Sequence, residues 1–386
     1  MRELDAAVTA AAPEASAPLV DIVVPVYNES RALGPGVRRL HEYLTARFPL
    51  TWRITIVDNA STDDTRAQAE ALAGTLPGIR ALHLDRKGRG LALRTAWSAS
   101  DAEVVAYMDV DLSTDLDALL PLVAPLVSGH SDVAVGCRLA PGSKVARHPK
   151  REIISRSYNL ILRTLLATRV RDAQCGFKAV RTAVAWRLLP AVEDDGWFFD
   201  TELLLLAERN GLRICEVPVD WVDDSDSRVQ VLPTAMGDLK GTARMVARFA
   251  RGRGRVDLGP LARQPLADDF GRRFVSFSLI GVASTAVSLV IFLSARGALG
   301  AIPANILAVT ATFVANAWAN ARLTERRARP RWSRAFALYG VSIVATSIAL
   351  ALVDAVTTNL GAQVAVLITS WSLLAIARFA VIGGSR

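Results

Sequence analysis

Asp109-Val110-Asp111 carries the plainest chemistry in this chain. It directly follows the apolar run EVVAYM (103–108). On an extended segment, residues i and i+2 project to the same side. Two carboxylates so placed can share a divalent cation, and Mg2+ or Mn2+ takes oxygen ligands completed by substrate phosphates. Such a pair is common in surface turns, but at the C-terminal end of a buried strand it points to function. Two further tips carry acids. DIVVPV (21–26) runs into Tyr27-Asn28-Glu29, and WRITIV (52–57) runs into Asp58-Asn59-Ala60-Ser61-Thr62-Asp63-Asp64-Thr65. Asp58 can accept hydrogen bonds from a base or ribose, whereas Ser61 or Thr62 suits the cap of the next helix. His41, His83, His130 and His148 are scattered, and each reads as a surface or packing residue.

The elements that must position these groups are legible as alternation. DIVVPV, WRITIV, IRALHL (79–84), EVVAYM and SDVAVG (131–136) are short, β-branched and apolar on both faces, as a buried parallel sheet requires. Helix-length segments at 32–47, 63–74, 88–100 and 115–128 separate or follow them, and Thr114 with Asp117 predicts a capping box at the last. This pattern predicts a doubly wound α/β layer whose ligands bind where strands end. Residues 150–169 differ. Ile153, Ile154, Tyr158, Ile161, Leu162 and Leu165 fall on one side, and Lys150, Arg151, Arg156 and Arg163 add charge. That composition suits a helix lying in a bilayer surface, or a basic helix packed on the sheet.

Of 386 residues, 45 are basic and 37 acidic, and the excess is confined to one region. Residues 272–386 hold eleven Arg and no Lys against only Glu325 and Asp354, while residues 1–271 are nearly neutral. The basic third is also the most apolar, which excludes a simple nucleic-acid binder and indicates membrane spans with charged flanks. Four charge-poor stretches follow Arg273, at 274–295, 297–321, 335–353 and 355–377, each near the roughly 20 residues a spanning helix needs. Arg322, Arg326, Arg327, Arg329, Arg331 and Arg334 crowd one loop, which the positive-inside rule puts in the cytoplasm. An even number of spans then places the α/β region and both termini on that side of the cell (inner or plasma) membrane. Residues 1–18 read as a disordered Ala-rich tail without the apolar core of a signal peptide. Residues 19–230 form the α/β domain, 231–271 a juxtamembrane linker, and 272–386 the membrane domain. Cys137, Cys175 and Cys215 fit neither a disulfide framework nor a structural zinc site.

VPVYNE, DNASTDDT, RKGRGLALRTAW and DVDLSTD, in this order and spacing, resemble the family 2 glycosyltransferases of GT-A fold. RDAQCGFKAV (171–180) and WFFDTELLLLAERNG (197–211) are similar to the polyprenyl-phosphate or dolichyl-phosphate hexosyltransferase branch, particularly its β-glucosyltransferase type. The four-span tail, with FSLIGVASTAVSLVIFL and ANAWANAR, resembles the GtrA-like membrane domain. The resemblance implies that a nucleotide sugar gives its hexose, with inversion, to a membrane polyprenyl phosphate. UDP-glucose is the expected donor and GDP-mannose the alternative. It implies Mg2+ or Mn2+ at Asp109 and Asp111, and Pro25, Tyr27, Glu29 and Asp58 around the nucleotide. Arg89 and Arg94 are expected near sugar or diphosphate, with Asp172 and Gln174 at the hexose hydroxyls. Asp200 is expected on the sugar or acceptor side, where related transferases keep a base. Arg138, Arg156, Arg163 and Arg228 are the candidates for the acceptor phosphate, since guanidinium binds phosphate bidentately. For Arg156 and Arg163, attraction to anionic lipid headgroups is the competing role. Beyond substrates and bilayer, the reading leaves room for a homo-oligomer. Two rival readings stand beside it: a tail that helps a lipid-linked sugar cross the bilayer, through Asn305, Asn316, Asn320 and Asp354, and a catalytically idle binding module.

Overall fold

The computed structural model describes residues 17–146, 149–222, 231–262, 270–324, 332–357 and 359–383. The chain divides into two compact units. One is built on the sheet, the other on the C-terminal helices together with Ile161–Ala167 and Val246–Arg253.

The first unit begins with β1 (Val20–Val26), α1 (Leu33–Arg47), β2 (Trp52–Asn59), α2 (Thr65–Thr75), β3 (Ile79–Leu84), α3 (Arg89–Ser98) and β4 (Val104–Met108). These strands are parallel neighbours. Every residue of β4 is buried, and so is all of β1 except Pro25, because helices cover both faces. α4 (Leu119–Val127), β5 (Val133–Cys137), β6 (Val145–Ala146), α5 (Pro149–Leu166), β7 (Phe177–Arg181), α6 (Thr182–Leu188) and α7 (Phe199–Arg209) follow. β8 (Ile214–Pro218), β9 (Trp221–Val222) and α8 (Val231–Ala250) complete the series. The large sheet has the order β3-β2-β1-β4-β7-β5-β8. β7 runs antiparallel to both β4 and β5, so the sheet is mixed rather than wholly parallel. β6 and β9 form a separate two-stranded parallel ribbon.

Two local expectations need correction. Thr114 caps no helix; its backbone bridges to Trp221, and the Asp115 carboxylate instead accepts from the Asp117 N–H. In α5 the buried stripe is Ser155, Tyr158, Asn159, Leu162 and Leu166, while Ile154 and Leu160 are exposed. The apolar face therefore lies a step away from the one inferred by spacing.

The second unit contains α9 (Phe270–Leu299), α10 (Ala301–Ala319), α11 (Trp332–Asp354) and α12 (Leu360–Gly383). Three segments are long and apolar enough to cross a membrane: Phe274–Leu299, Ala301–Thr324 and Ala335–Asp354. The fourth expected span coincides with α12, whose apolar stretch runs Leu360–Ala375 among the residues with described side chains. The first two expected spans meet at Gly300, whose φ of 82° only glycine adopts readily, and this moves their boundary from 296 to 300. Phe292, Ala304, Ala308, Leu350 and Leu367 form the core between helices. Polar side chains bond across it: Ser288 to Thr312, Asn316 to Ser284, and Asn305 to Thr346. Leu279, Val282, Val290 and Leu352 face outward, 64–70% exposed, which water would not tolerate over so large an area. Most of the arginine-rich loop, including Arg326, Arg327, Arg329 and Arg331, lies outside the described residues.

Candidate active site

The C-terminal ends of β1, β2, β3 and β4 share one rim, because parallel strands end on the same side. At three of them the backbone turns sharply through the left-handed region at a residue other than glycine: Asn28 (φ 54°), Ala60 (φ 60°) and Leu112 (φ 51°). Such conformations cost roughly 1–3 kcal/mol each and persist where surrounding bonds enforce them. Here those bonds are present. Asn28 N–H donates to Ser61 Oγ at 2.9 Å, and Thr62 N–H donates to Asn28 Oδ1 at 2.8 Å. Glu29 N–H donates to Thr65 Oγ1 at 2.8 Å. Ser61 and Thr65 thereby knit the first two tips together, a larger role than capping.

Asp58 is 1% exposed. Its Oδ1 accepts from Ser61 N–H at 3.2 Å and its Oδ2 lies 2.6 Å from His83 Nδ1. His83 is the register partner of Asp58 across the β2–β3 pair. His83 is thus a site residue rather than a surface or packing one, and its place at the end of the third apolar run is the signal in the sequence that marks it. Tyr27 lies under Lys87, whose Nζ is 3.5 Å from the ring centroid. Pro25, paired with Val57, and Glu29 are half-buried on the same rim.

Asp109 and Asp111 follow β4, but in a tight turn rather than on an extended segment: Leu112 N–H returns to the Asp109 carbonyl at 3.2 Å. The turn is held by Ser113 N–H on Asp111 Oδ1 at 3.0 Å and by the 220–222 segment, where Asp115 N–H meets the Asp220 carbonyl. Asp111 is exposed at the mouth, and the Asp109 side chain is 31% accessible. Arg89 opens α3 and donates to Asp109 Oδ1 at 2.7 Å, with its guanidinium 4.6 Å from the Trp197 ring centroid. The enclosure around Asp109 pushes its carboxyl above the usual value; Arg89 opposes this, while Asp111 and Asp200 reinforce it. Burial works against the Arg89 charge, but Asp109, Tyr107 and Asp200 outweigh it and keep the guanidinium charged beyond its ordinary range. Gly176 makes room for this cluster, since a Cβ there would stand 2.1 Å from Asp109 Oδ2.

Several expected contacts are spent elsewhere. Asp172 is fully buried and uses both oxygens on Arg138, at 2.7 and 2.8 Å, so neither group is free for hexose or phosphate. Burial alone would raise the Asp172 carboxyl; Arg138 wins and holds it below the usual value. Arg138 also stacks 4.9 Å from the Trp221 ring centroid. Gln174 donates to Asp238 of α8 at 2.7 Å. Arg94 ties α3 to the loop before α7, donating to the Leu189 carbonyl at 2.6 Å and to Asp195 at 3.3 Å, rather than reaching into the rim. Asp200, in the first turn of α7, accepts from the Tyr107 hydroxyl at 2.6 Å and lies 3.5 Å from Lys178 Nζ. Arg156 is exposed and paired with Glu152, Arg163 is exposed in the last turn of α5, and Arg228 lies outside the described residues.

Among the described residues, no group of three or more His, Cys, Asp or Glu side chains is arranged to hold a metal. Two clustered carboxylates with excess negative charge nonetheless fit a hard cation that takes its remaining ligands from diphosphate and water.

Known proteins bear on this arrangement. The chain is 38% identical over 234 residues to glycosyltransferase AglD of Haloferax volcanii, covering 60% of this chain and 37% of that one. It is 30% identical over 221 residues to dolichyl-phosphate beta-glucosyltransferase ALG5C of Trichomonas vaginalis, covering 54% and 65%. It is 31% identical over 214 residues to polyprenol monophosphomannose synthase of Mycolicibacterium smegmatis, covering 52% and 77%. The first two relatives are thus matched over less than two thirds of their length. The profile described as glycosyl transferase family 2 matches residues 21–189, which contain Asp58, Arg89, Asp109 and Asp111. This protein belongs to glycosyl transferase family 2.

Proposed function

We propose that the protein is an inverting hexosyltransferase that moves a hexose, glucose from UDP-glucose by preference, to a membrane polyprenyl phosphate. The observation that carries this reading is the meeting of Asp109, Asp111 and Arg89 at the rim that also bears Asp58. The relatives named for lipid-phosphate acceptors and the apolar C-terminal helices support the choice of acceptor.

Asp58 would receive the base or ribose, and Tyr27 and Glu29 would line the nucleotide. Asp109 and Asp111 would hold Mg2+ or Mn2+, which when bound offsets charge on the departing diphosphate. Arg89 is the protein's own cation at the same place. Its pairing with Asp109 and its stacking on Trp197 keep it aimed where diphosphate charge develops. The acceptor phosphate is already anionic at neutral pH. One of its oxygens attacks the anomeric carbon from the face opposite the diphosphate, and the sugar–diphosphate C–O bond breaks with its electron pair leaving on the nucleotide. No strong general base is needed. On the acceptor side, exposed Arg156 and Arg163 beside exposed Ile154 and Leu160 suit a headgroup at the bilayer surface.

The test uses the full chain in lipid bilayers with polyprenyl phosphate, Mn2+ and each radiolabelled donor in turn. Label entering lipid from UDP-glucose is expected. Label from GDP-mannose alone would transfer the assignment to the mannose donor, which the mannose-synthase relative favours. No lipid label from either would overturn the reading. A further role for the helical unit rests on a cleft lined by Ser284, Ser288, Thr312 and Asn316 together with apolar Val309, Trp371 and Leu374. If it helps a lipid-linked sugar cross the bilayer, Asn316→Leu in vesicles should slow translocation and spare transfer.

A further inference from the structure

Lys178 is wholly buried, and it lies in β7, the strand that opposes its neighbours. A desolvated ammonium must find acceptors for its three donors. It donates to the Cys175 carbonyl and, at 3.3 Å, to the Tyr107 hydroxyl, with Asp200 Oδ1 3.5 Å away. Tyr107 is its register partner across the β4–β7 pair. The phenol therefore accepts from Lys178 and donates to Asp200 Oδ1 at 2.6 Å. Asp200 Oδ2 has no hydrogen-bond partner among the described residues, and 7% of the side chain remains accessible. This trio stands within electrostatic reach of Asp109 and Arg89.

An apolar side chain in the middle of β7 would fill the same space without the cost of desolvating a charge. A lysine there makes sense if the Asp200 carboxylate must be held in one orientation. Resting on the hexosyltransferase reading, we infer that Lys178 is a positioning residue. With Tyr107 it pins Asp200 Oδ1 and leaves Oδ2 as a fixed acceptor for one hydroxyl of the transferred hexose. Asp200 is then a sugar-reading group, and proton removal from the acceptor is not its task.

The experiment compares full-length wild type, Asp200→Asn, Lys178→Met and Lys178→Arg with UDP-glucose and its singly deoxygenated analogues, and measures kcat and KM separately. In wild type, one deoxy donor should lose roughly tenfold to a hundredfold in kcat/KM, as expected for a hydrogen bond to a charged group. In Asp200→Asn and Lys178→Met that penalty should vanish, chiefly through KM, while calorimetric affinity for UDP with Mn2+ is kept. Lys178→Arg should restore part of it. A Lys178→Met enzyme that discriminates the deoxy donors as wild type does would overturn the assignment. Should Lys178→Met not fold, the charge-neutral pair Asp200→Asn with Lys178→Met replaces it. That pair should match Asp200→Asn alone, and a large further loss would show that Lys178 acts through something other than Asp200. Wild type that transfers glucose with a flat deoxy profile overturns this inference alone. Wild type that transfers nothing overturns the hexosyltransferase reading and this one with it.

Discussion

At the scale of single residues, the site is a small set of charges whose neighbours decide their use. Asp111 is exposed and, among the described residues, accepts from the turn it sits in, so Asp111→Ala would remove the proposed cation ligand without opening the core. Metal-dependent transfer should fall on the order of a hundredfold or more, with the thermal unfolding midpoint nearly unchanged. Normal turnover in that variant would remove Asp111 from the site. Gly176→Ala tests the same cluster from behind. Its new Cβ would meet Asp109 Oδ2 at 2.1 Å and Arg89 Nη2 at 3.2 Å, so the carboxylate must shift and its pairing with Arg89 is disturbed. A strong loss of transfer, measured with saturating Mn2+, is expected. Asp109 and Asp58 were legible in the sequence because each is an acid directly after a buried apolar run. Asp172 and Arg138 were not. Both have the right chemistry for sugar or phosphate, and only the fold reveals that they neutralise each other.

Elements carry the next layer. Asp21 of β1, fully buried, accepts from Arg53 at 2.6 Å, Thr55 at 2.7 Å and Ser100 at 2.7 Å, joining β1, β2 and the segment after α3 at the end of the sheet away from the rim. Asp21→Ala should destabilise the sheet unit by about 2 kcal/mol, read as a lowered thermal midpoint, because Thr55 and Ser100 lose a buried acceptor while Arg53 keeps Asp101 at 2.7 Å. α8 is seated by Arg244, which reaches Glu202 at 2.6 Å, and by Asp238, 4% exposed, which accepts from Gln174. Burial, then Asp194 nearby, raise the Asp238 carboxyl to about 7. A raised carboxyl favours the folded state while protonated. Its contribution is full below about pH 4, declines as pH rises, and is gone above pH 7. Between pH 5 and 8 wild type should therefore lose on the order of 2 kcal/mol that Asp238→Asn does not, visible as a flatter midpoint-versus-pH curve. Five strands were readable as apolar runs. β7 and β8 were hidden because Lys178 and Glu216 interrupt theirs, and a buried charge is recognisable only once its partners are known.

Over the whole molecule, the confinement of basic charge to the apolar third was enough to indicate a membrane unit before any helix was seen. Helix ends were legible in part: Gly300 and Pro303 already punctuate the first pair of spans in the sequence, while the turn's placement at Gly300 rather than at Arg296 follows from its backbone conformation. Protease added outside sealed inverted membrane vesicles should cut the 325–331 segment and leave the Gly300 turn intact, if the arginine loop is cytoplasmic. Protection of that segment would reverse the topology. The division into units has a practical side. The helical unit includes Ile161–Ala167 and Val246–Arg253, two stretches that precede every long apolar helix in the chain. Cutting after residue 262 would not release a clean water-soluble enzyme, because the fragment keeps two pieces that belong structurally to the half removed. Such a fragment should stay sticky towards liposomes and prone to self-association, so detergent or lipid belongs in its handling from the first purification step.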